Sequence, residues 1–199
     1  MSLILTNITM KNIILLLLIM VSCKSYTQQT IVPLRTYTDI PEDAGYYIKD
    51  TNNELQAFEG TWKGIWNGKI FSITFKKITN KYNPTMKYNS DIIVGKFKML
   101  ANNGNILFDN TNLSDINAKI EGTGFQNITN KYLLFYVDND ICNISGDIEL
   151  VFTNVSKMEM NFSYHQNPMI LTADCYFYGW PQADRPQPLP RTDIILVKQ

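Results

Sequence analysis

The sequence predicts an all-β domain. It reads as an antiparallel meander of about nine or ten strands, with little helix, forming a barrel or a sandwich. Three observations carry that expectation. Apolar and polar residues alternate with period two, most plainly in Lys157 to Tyr164, where Met158, Met160, Phe162 and Tyr164 interleave with Lys157, Glu159, Asn161 and Ser163. That is the pattern of a half-buried strand. No proline lies between Pro84 and Pro168, as paired strands require. Turn signals recur at close spacing, and no window of about 12 residues carries a helical period.

The first segment reads as a targeting signal rather than as part of the fold. Met10-Lys11-Asn12 is followed by nine apolar residues, Ile13 to Val21, and then Ser22-Cys23. This is the layout of a secretory signal, with Met10 as an alternative start. The run falls short of the about 20 residues that a membrane-spanning helix needs. Residues 1–22 therefore read as a signal peptide, residues 23–52 as a tether and residues 53–199 as a single β domain. Within the tether Pro33 and Pro41 interrupt any helix, and Pro41 to Gly45 is turn-like. Asn53 to Phe58 fits one helical turn, capped by Asn52 or Asn53.

The hairpin at residues 58–77 is the best specified element. Asn67-Gly68 suits a two-residue type I′ turn, which fixes the register so that paired positions sum to 135. Trp62 then faces Ile73, Gly64 faces Phe71 and Gly60 faces Phe75. One face is aromatic, and the glycines leave bare backbone that the phenylalanine rings can cover. Further strands follow at Asp91–Leu100, Asn105–Asp109, Ala118–Gly122, Tyr132–Val137, Gly146–Thr153, Lys157–Tyr164, Ile170–Tyr178 and Asp193–Lys198. Ile78-Thr79-Asn80-Lys81-Tyr82 recurs at Ile128 to Tyr132 and reads as a reused turn. The proline-rich Arg185 to Arg191 reads as an extended crossing segment that delivers the last strand.

Composition excludes more than it includes. Eighteen basic and 18 acidic residues give a net charge of zero, without the basic stripe that nucleic acid wants. One histidine, His165, rules out sites that need two. There is no G-x-S-x-G, P-loop or G-x-G-x-x-G. Asp138-Asn139-Asp140 opens like a calcium loop but lacks the later acidic position, the glycine and the closing glutamate, so it reads as a polar turn. Acidic residues are scattered, and no pair stands out for carboxylate hydrolysis. No residue is singled out as catalytic, and no metal or cofactor is called for.

Met20-Val21-Ser22-Cys23 resembles the lipobox of bacterial lipoproteins, departing from it at Met20, where Leu, Val or Ile is usual. The resemblance implies that Cys23 becomes the lipidated first residue of an exported chain. Its partner is then a membrane of the bacterial envelope, the outer membrane in expectation, with the leaflet open. Each buried acyl methylene contributes about 0.8 kcal/mol to such an anchor. With Cys23 so used, Cys142 and Cys175 remain as a natural disulfide pair in an exported protein. Two buried thiols, or a cysteine working with His165, are the alternatives.

Phe58-Glu59-Gly60-Thr61-Trp62 resembles the G-x-W motif that opens the first strand of lipocalins and related calycin barrels. That resemblance implies a structural role for Gly60 and Trp62 at a closed barrel end, with Arg191 as the cation packed on the tryptophan. The lipobox, Tyr47 to Leu55, Gly60 to Gly64 and Asp138 to Cys142 together resemble a family of small Bacteroidetes lipoproteins of unknown function, which implies no activity. The expected role is non-catalytic binding of a small or hydrophobic ligand. A protein-interaction or inhibitor module is the alternative, and a carboxylate hydrolase is a further one. Tyr176, Tyr178 and Trp180 are the candidate binding residues, because exposed aromatic rings suit sugar stacking or a partner protein.

Overall fold

The structure, a computed structural model, describes residues 29–36, 45–169 and 171–199. Eleven strands join in one sheet: β1 (Thr30–Pro33), β2 (Tyr46–Lys49), β3 (Gly60–Trp66), β4 (Lys69–Asn83), β5 (Tyr88–Leu100), β6 (Ile106–Asp109), β7 (Ile120–Phe125), β8 (Tyr132–Asp138), β9 (Ile144–Phe152), β10 (Glu159–Gln166) and β11 (Ile194–Lys198). Eight of them close a barrel in the order β5-β4-β3-β11-β10-β9-β8-β7, with β7 pairing back onto β5. The helical pieces described are short 3-10 turns. The alternative of a sandwich is thereby settled in favour of the barrel.

The hairpin register follows from its turn. All seven β3–β4 pairs, from Gly60↔Phe75 to Trp66↔Lys69, sum to 135. Asn67 and Gly68 both take positive φ, +48° and +75°, as a type I′ turn demands. The reason for Gly64 differs from the one expected. A Cβ there would lie 2.6 Å from the Ile195 carbonyl and 2.8 Å from the Leu196 side chain. The glycine therefore admits β11, and the Phe75 ring crosses Gly95 instead, 2.9 Å from where its Cβ would stand.

The register also sorts the turns into two ends. The lower end holds Gly60, the β4–β5 turn, the turns after β7 and β9, and the chain terminus. The upper end holds Asn67-Gly68, the 101–119 segment, the 139–143 turn and the 167–193 segment. Inward-facing residues fill the lumen from end to end. Trp62, Phe71, Phe75, Phe97, Tyr132, Tyr136 and Phe162 are all fully buried. Neighbouring rings touch, Phe71 with Phe162 at 5.3 Å and Tyr136 with Tyr164 at 5.9 Å between centroids. Each such side chain contributes about 1.5–3 kcal/mol by leaving water.

Several expectations needed correction. Within the segment read as a tether, β1 and β2 pair in parallel with each other, and β2 with the outer part of β5. β4 runs on to Asn83 and β5 begins at Tyr88, so this hairpin overruns the barrel. The first copy of the repeated pentapeptide lies inside β4, at a bulge between Ile78 and Lys81. Among the described residues of 171–178 there is no strand. Cys175, Tyr178 and Trp180 each donate a backbone N–H bond to the carbonyl three positions back, in successive turns. Arg185 to Arg191 crosses the upper end as expected, and Leu189 is fully buried in the core.

Candidate functional site

β5 and β7 pair at only two positions, Val94↔Glu121 and Gly95↔Ile120. Below that contact β5 turns away to pair with β2 and the outer half of β4, while β7 continues beside β8. The wall of the barrel therefore opens into a groove of about 750 Å³. Leu34, Ile48, Ile92, Phe125, Phe135 and Val137 supply its apolar lining. Phe135 and Val137 are outward residues of β8 and remain 37% and 40% exposed.

The charges around this groove are already paired. Lys81 on β4 meets Glu121 on β7. Lys119 reaches Asp138 at 2.5 Å and Asp140 at 2.7 Å. Burial pushes the Lys119 ammonium down, but its two carboxylates outweigh that, and its pKa stands above the usual lysine value. Lys119 thus supplies, between Asp138 and Asp140, the positive charge that a calcium ion would bring to such a turn.

Two buried carboxylates, Asp50 and Asp91, stand behind the groove, and both are clamps. Asp91 Oδ1 accepts the Tyr47 hydroxyl at 2.5 Å and the Asn80 N–H at 3.0 Å, and its Oδ2 accepts the Asp50 N–H at 3.0 Å. Burial, then the hydrogen bond to Asp91, pushes the Tyr47 hydroxyl up to about 12. Asp50 Oδ1 accepts the Glu54 N–H at 2.8 Å, and Oδ2 accepts the Leu55 N–H at 3.0 Å and the Lys77 ammonium at 2.8 Å. The N-cap of the 3-10 turn Leu55–Phe58 is thus Glu54, not Asn52 or Asn53, and Asp50 accepts the N–H groups of Glu54 and Leu55 at its start. Every oxygen of the pair is engaged by the fold, an arrangement suited to holding strands rather than to proton transfer. Among the described residues no three His, Cys, Asp or Glu side chains gather as metal ligands would.

The sequence-derived sites fall elsewhere. Cys142 and Cys175 form the expected disulfide, with Cα atoms 5.6 Å apart, so neither thiol can act with His165. The disulfide pins the 171–180 turns to the upper end. There Tyr176 lies against Trp180 at 5.6 Å and Phe177 against Trp180 at 5.2 Å. Tyr178 is exposed but outside this ring cluster. Phe177 was missed because alternation assigned it to an inward strand face.

Gly60 takes φ +109°, and Trp62 is buried at the lower end, donating its Nε1–H to the Phe58 carbonyl at 2.7 Å. The cation over its ring is Lys198, at 5.3 Å, not Arg191, which bonds the Gln166 side chain at 2.6 Å. The period of β11 offered this: Ile194, Leu196 and Lys198 share the inward face. Cys23 lies outside the described residues. The groove had no sequence signal, since six separate segments build it.

The model of a family of unknown function, DUF6705, matches residues 10–199. No curated protein and no solved structure matches the chain.

Proposed function

We propose that this chain, which belongs to that family of unknown function, is a lipid-anchored, exported binding domain whose ligand sits in the groove between β5 and β7. The single observation that carries the reading is a groove of about 750 Å³ on the outside of a barrel whose lumen is full. That volume falls within the range of small-molecule sites. The apolar wall of Leu34, Ile92, Phe135 and Val137 favours the body of a hydrophobic or amphiphilic molecule. The internal pairing of Lys81 and Lys119 means that the ligand needs no charge of its own. The lipobox at Met20 to Cys23 supports the anchor. No helix among the described residues is long and apolar enough to cross a membrane.

Nile red, an uncharged solvatochromic dye, tests the groove. The expected result is saturable fluorescence enhancement by the native protein and its loss in Thr123→Trp, which fills the space, and in Val137→Glu, which makes the wall polar. Equal enhancement by both variants would refute the site. A second reading, a surface for a partner protein, rests on the exposed rings of Tyr176 and Trp180, packed on half-buried Phe177. It expects cross-linking of envelope proteins from a photoreactive group at position 176, lost on reduction of the disulfide.

A further inference from the structure

Ile128 and Val155 are the most exposed large hydrophobic side chains among the described residues, at 94% and 100%. Each crowns a turn at the lower end, between β7 and β8 and between β9 and β10. Isolated exposed hydrophobics are ordinary, but Ile128 also holds φ +62°. That left-handed backbone disfavours a β-branched residue and suits Gly or Asn. Isoleucine is therefore unfavourable here on two counts, and nothing within the fold rewards it.

Three further observations fall at the same end. The β4–β5 turn carries half-exposed Met86, and β1 beside it carries Ile31, 54% exposed. The three turns 84–87, 126–131 and 153–158 contain Lys87, Lys131 and Lys157 and no Asp or Glu. Lys131 reaches Glu149 at 2.7 Å and Lys157 lies 5.7 Å from the Phe152 ring centre. The upper-end hairpin turns Asn67-Gly68 and Asn102-Asn103-Gly104 have no apolar residue, and the exposed apolar groups of that end, Ile116 and the Tyr176 to Trp180 rings, lie in its two long segments, away from the entry of the chain. Finally, the chain enters the sheet here. Thr30 pairs with Tyr46, and Tyr47 with Asn89, which sets Thr30 level with the β4–β5 turn. Cys23 precedes Thr30 by seven positions, a span of at most about 25 Å for an extended chain.

We infer that the lower end is the membrane-docking face of the barrel. Ile128 and Val155 enter the interfacial layer of the same bilayer that holds the acyl chains of Cys23, with the turn lysines at the level of anionic headgroups. The inference rests on the lipoprotein reading for its tether length, while the turn chemistry stands apart from it.

The test uses the full chain produced in a bacterial host, with Ile128→Cys, Val155→Cys or Asn103→Cys labelled by an environment-sensitive nitrobenzoxadiazole group. Cys142 and Cys175 are disulfide-bonded, and intact mass shows whether Cys23 is acylated. The protein is incorporated in phosphatidylethanolamine–phosphatidylglycerol vesicles with brominated acyl chains. Blue-shifted emission that loses most of its intensity to the bromines at 128 and 155, and is unchanged at 103, supports the docking face. An acylated protein without quenching at 128 and 155, or with equal quenching at 103, overturns the docking face and leaves the anchor standing. If the mass shows no acylation, Cys23→Ala is added and the labelled proteins are mixed with the same vesicles. Quenching at 128 and 155 then supports docking while the anchor reading falls, and no quenching overturns docking.

Discussion

Replacing Asp50 by Asn tests whether the lower end is held by charge. The Asp50 side chain is fully buried, and its partner Lys77 is 14% exposed. The substitution removes the charge that meets Lys77 at 2.8 Å and, because an amide has one acceptor oxygen, also one of the two backbone acceptors for Glu54 and Leu55. Leaving a buried ammonium unpaired costs about 3–5 kcal/mol, and losing a hydrogen bond at a buried donor about 1–3 kcal/mol. Water reaches Lys77 in part, so the loss should lie near the low end, about 3 kcal/mol. Urea unfolding followed by tryptophan fluorescence should show a lower midpoint at unchanged slope.

The pH dependence separates charge from packing. Burial raises the Asp50 carboxyl, but Lys77 and the Leu55 and Glu54 amides more than offset that, and its pKa falls below the ordinary carboxylate value. A depressed folded-state pKa gives stability that is present above the unfolded value and lost as pH falls through the folded one. The gap between wild type and variant should therefore close in acid. A loss under about 1 kcal/mol at neutral pH, against the several expected from a broken buried pair, would refute the clamp. So would a gap of constant size down to strongly acid pH. Asp50→Asn with Lys77→Met should cost less than the sum of the single changes.

Three further outcomes follow from single positions. Gly146→Ala should destabilise by about 3 kcal/mol or more, because its Cβ would stand 2.3 Å from the His165 carbonyl oxygen and 2.6 Å from the Tyr164 ring; calorimetry showing an unchanged Tm would contradict the close approach. Cys142→Ser should cost about 3–4 kcal/mol on the chain-entropy model for a closed loop of separation 33, and reduction of the native protein should lower its midpoint similarly. Ile128→Asn should raise stability by about 1 kcal/mol by relieving the left-handed strain while weakening vesicle contact, and a stability loss of that size would show that the isoleucine serves the fold.

The parts of the fold legible in the sequence were those with local causes. Asn67-Gly68 set a register that holds over seven pairs, and alternation found the strands from β5 onward to within a few residues. Residues 171–178 show the limit of that signal. Leu171, Ala173, Cys175 and Phe177 alternate like a strand, but Cys175 is bonded to Cys142. The short link folds the chain into turns in which Cys175 is buried and Ala173 exposed, so the alternation there marks no sheet face. β1 and β2 were illegible because four-residue strands in a polar segment owe their pairing to the overrun of β5. Asp50 and Asp91, 41 positions apart, meet only once that overrun exists.

The G-x-W resemblance fits the lower end, where Trp62, Phe58 and Lys198 close the barrel, yet it does not bring a lumen with it. An eight-stranded barrel is just wide enough for its own side chains. Here aromatic rings occupy it as far as Tyr164 and Leu189 at the upper end. A ligand inside would have to displace several of them, each worth about 3–5 kcal/mol by large-to-small deletion. The proposed site is therefore in the wall, and the wall opens for one reason. β4 and β5 are 15 and 13 residues long, against seven for β3 and six for β7. Their surplus cannot pair around so small a barrel, so it leaves the circle at the Ile78/Lys81 bulge. Asn80, at φ +54°, turns the chain there and gives its N–H to Asp91. The groove is what the departing hairpin leaves beside β7. The length of that one hairpin, more than any residue of the barrel core, therefore sets the size of the groove in which the proposed ligand would sit.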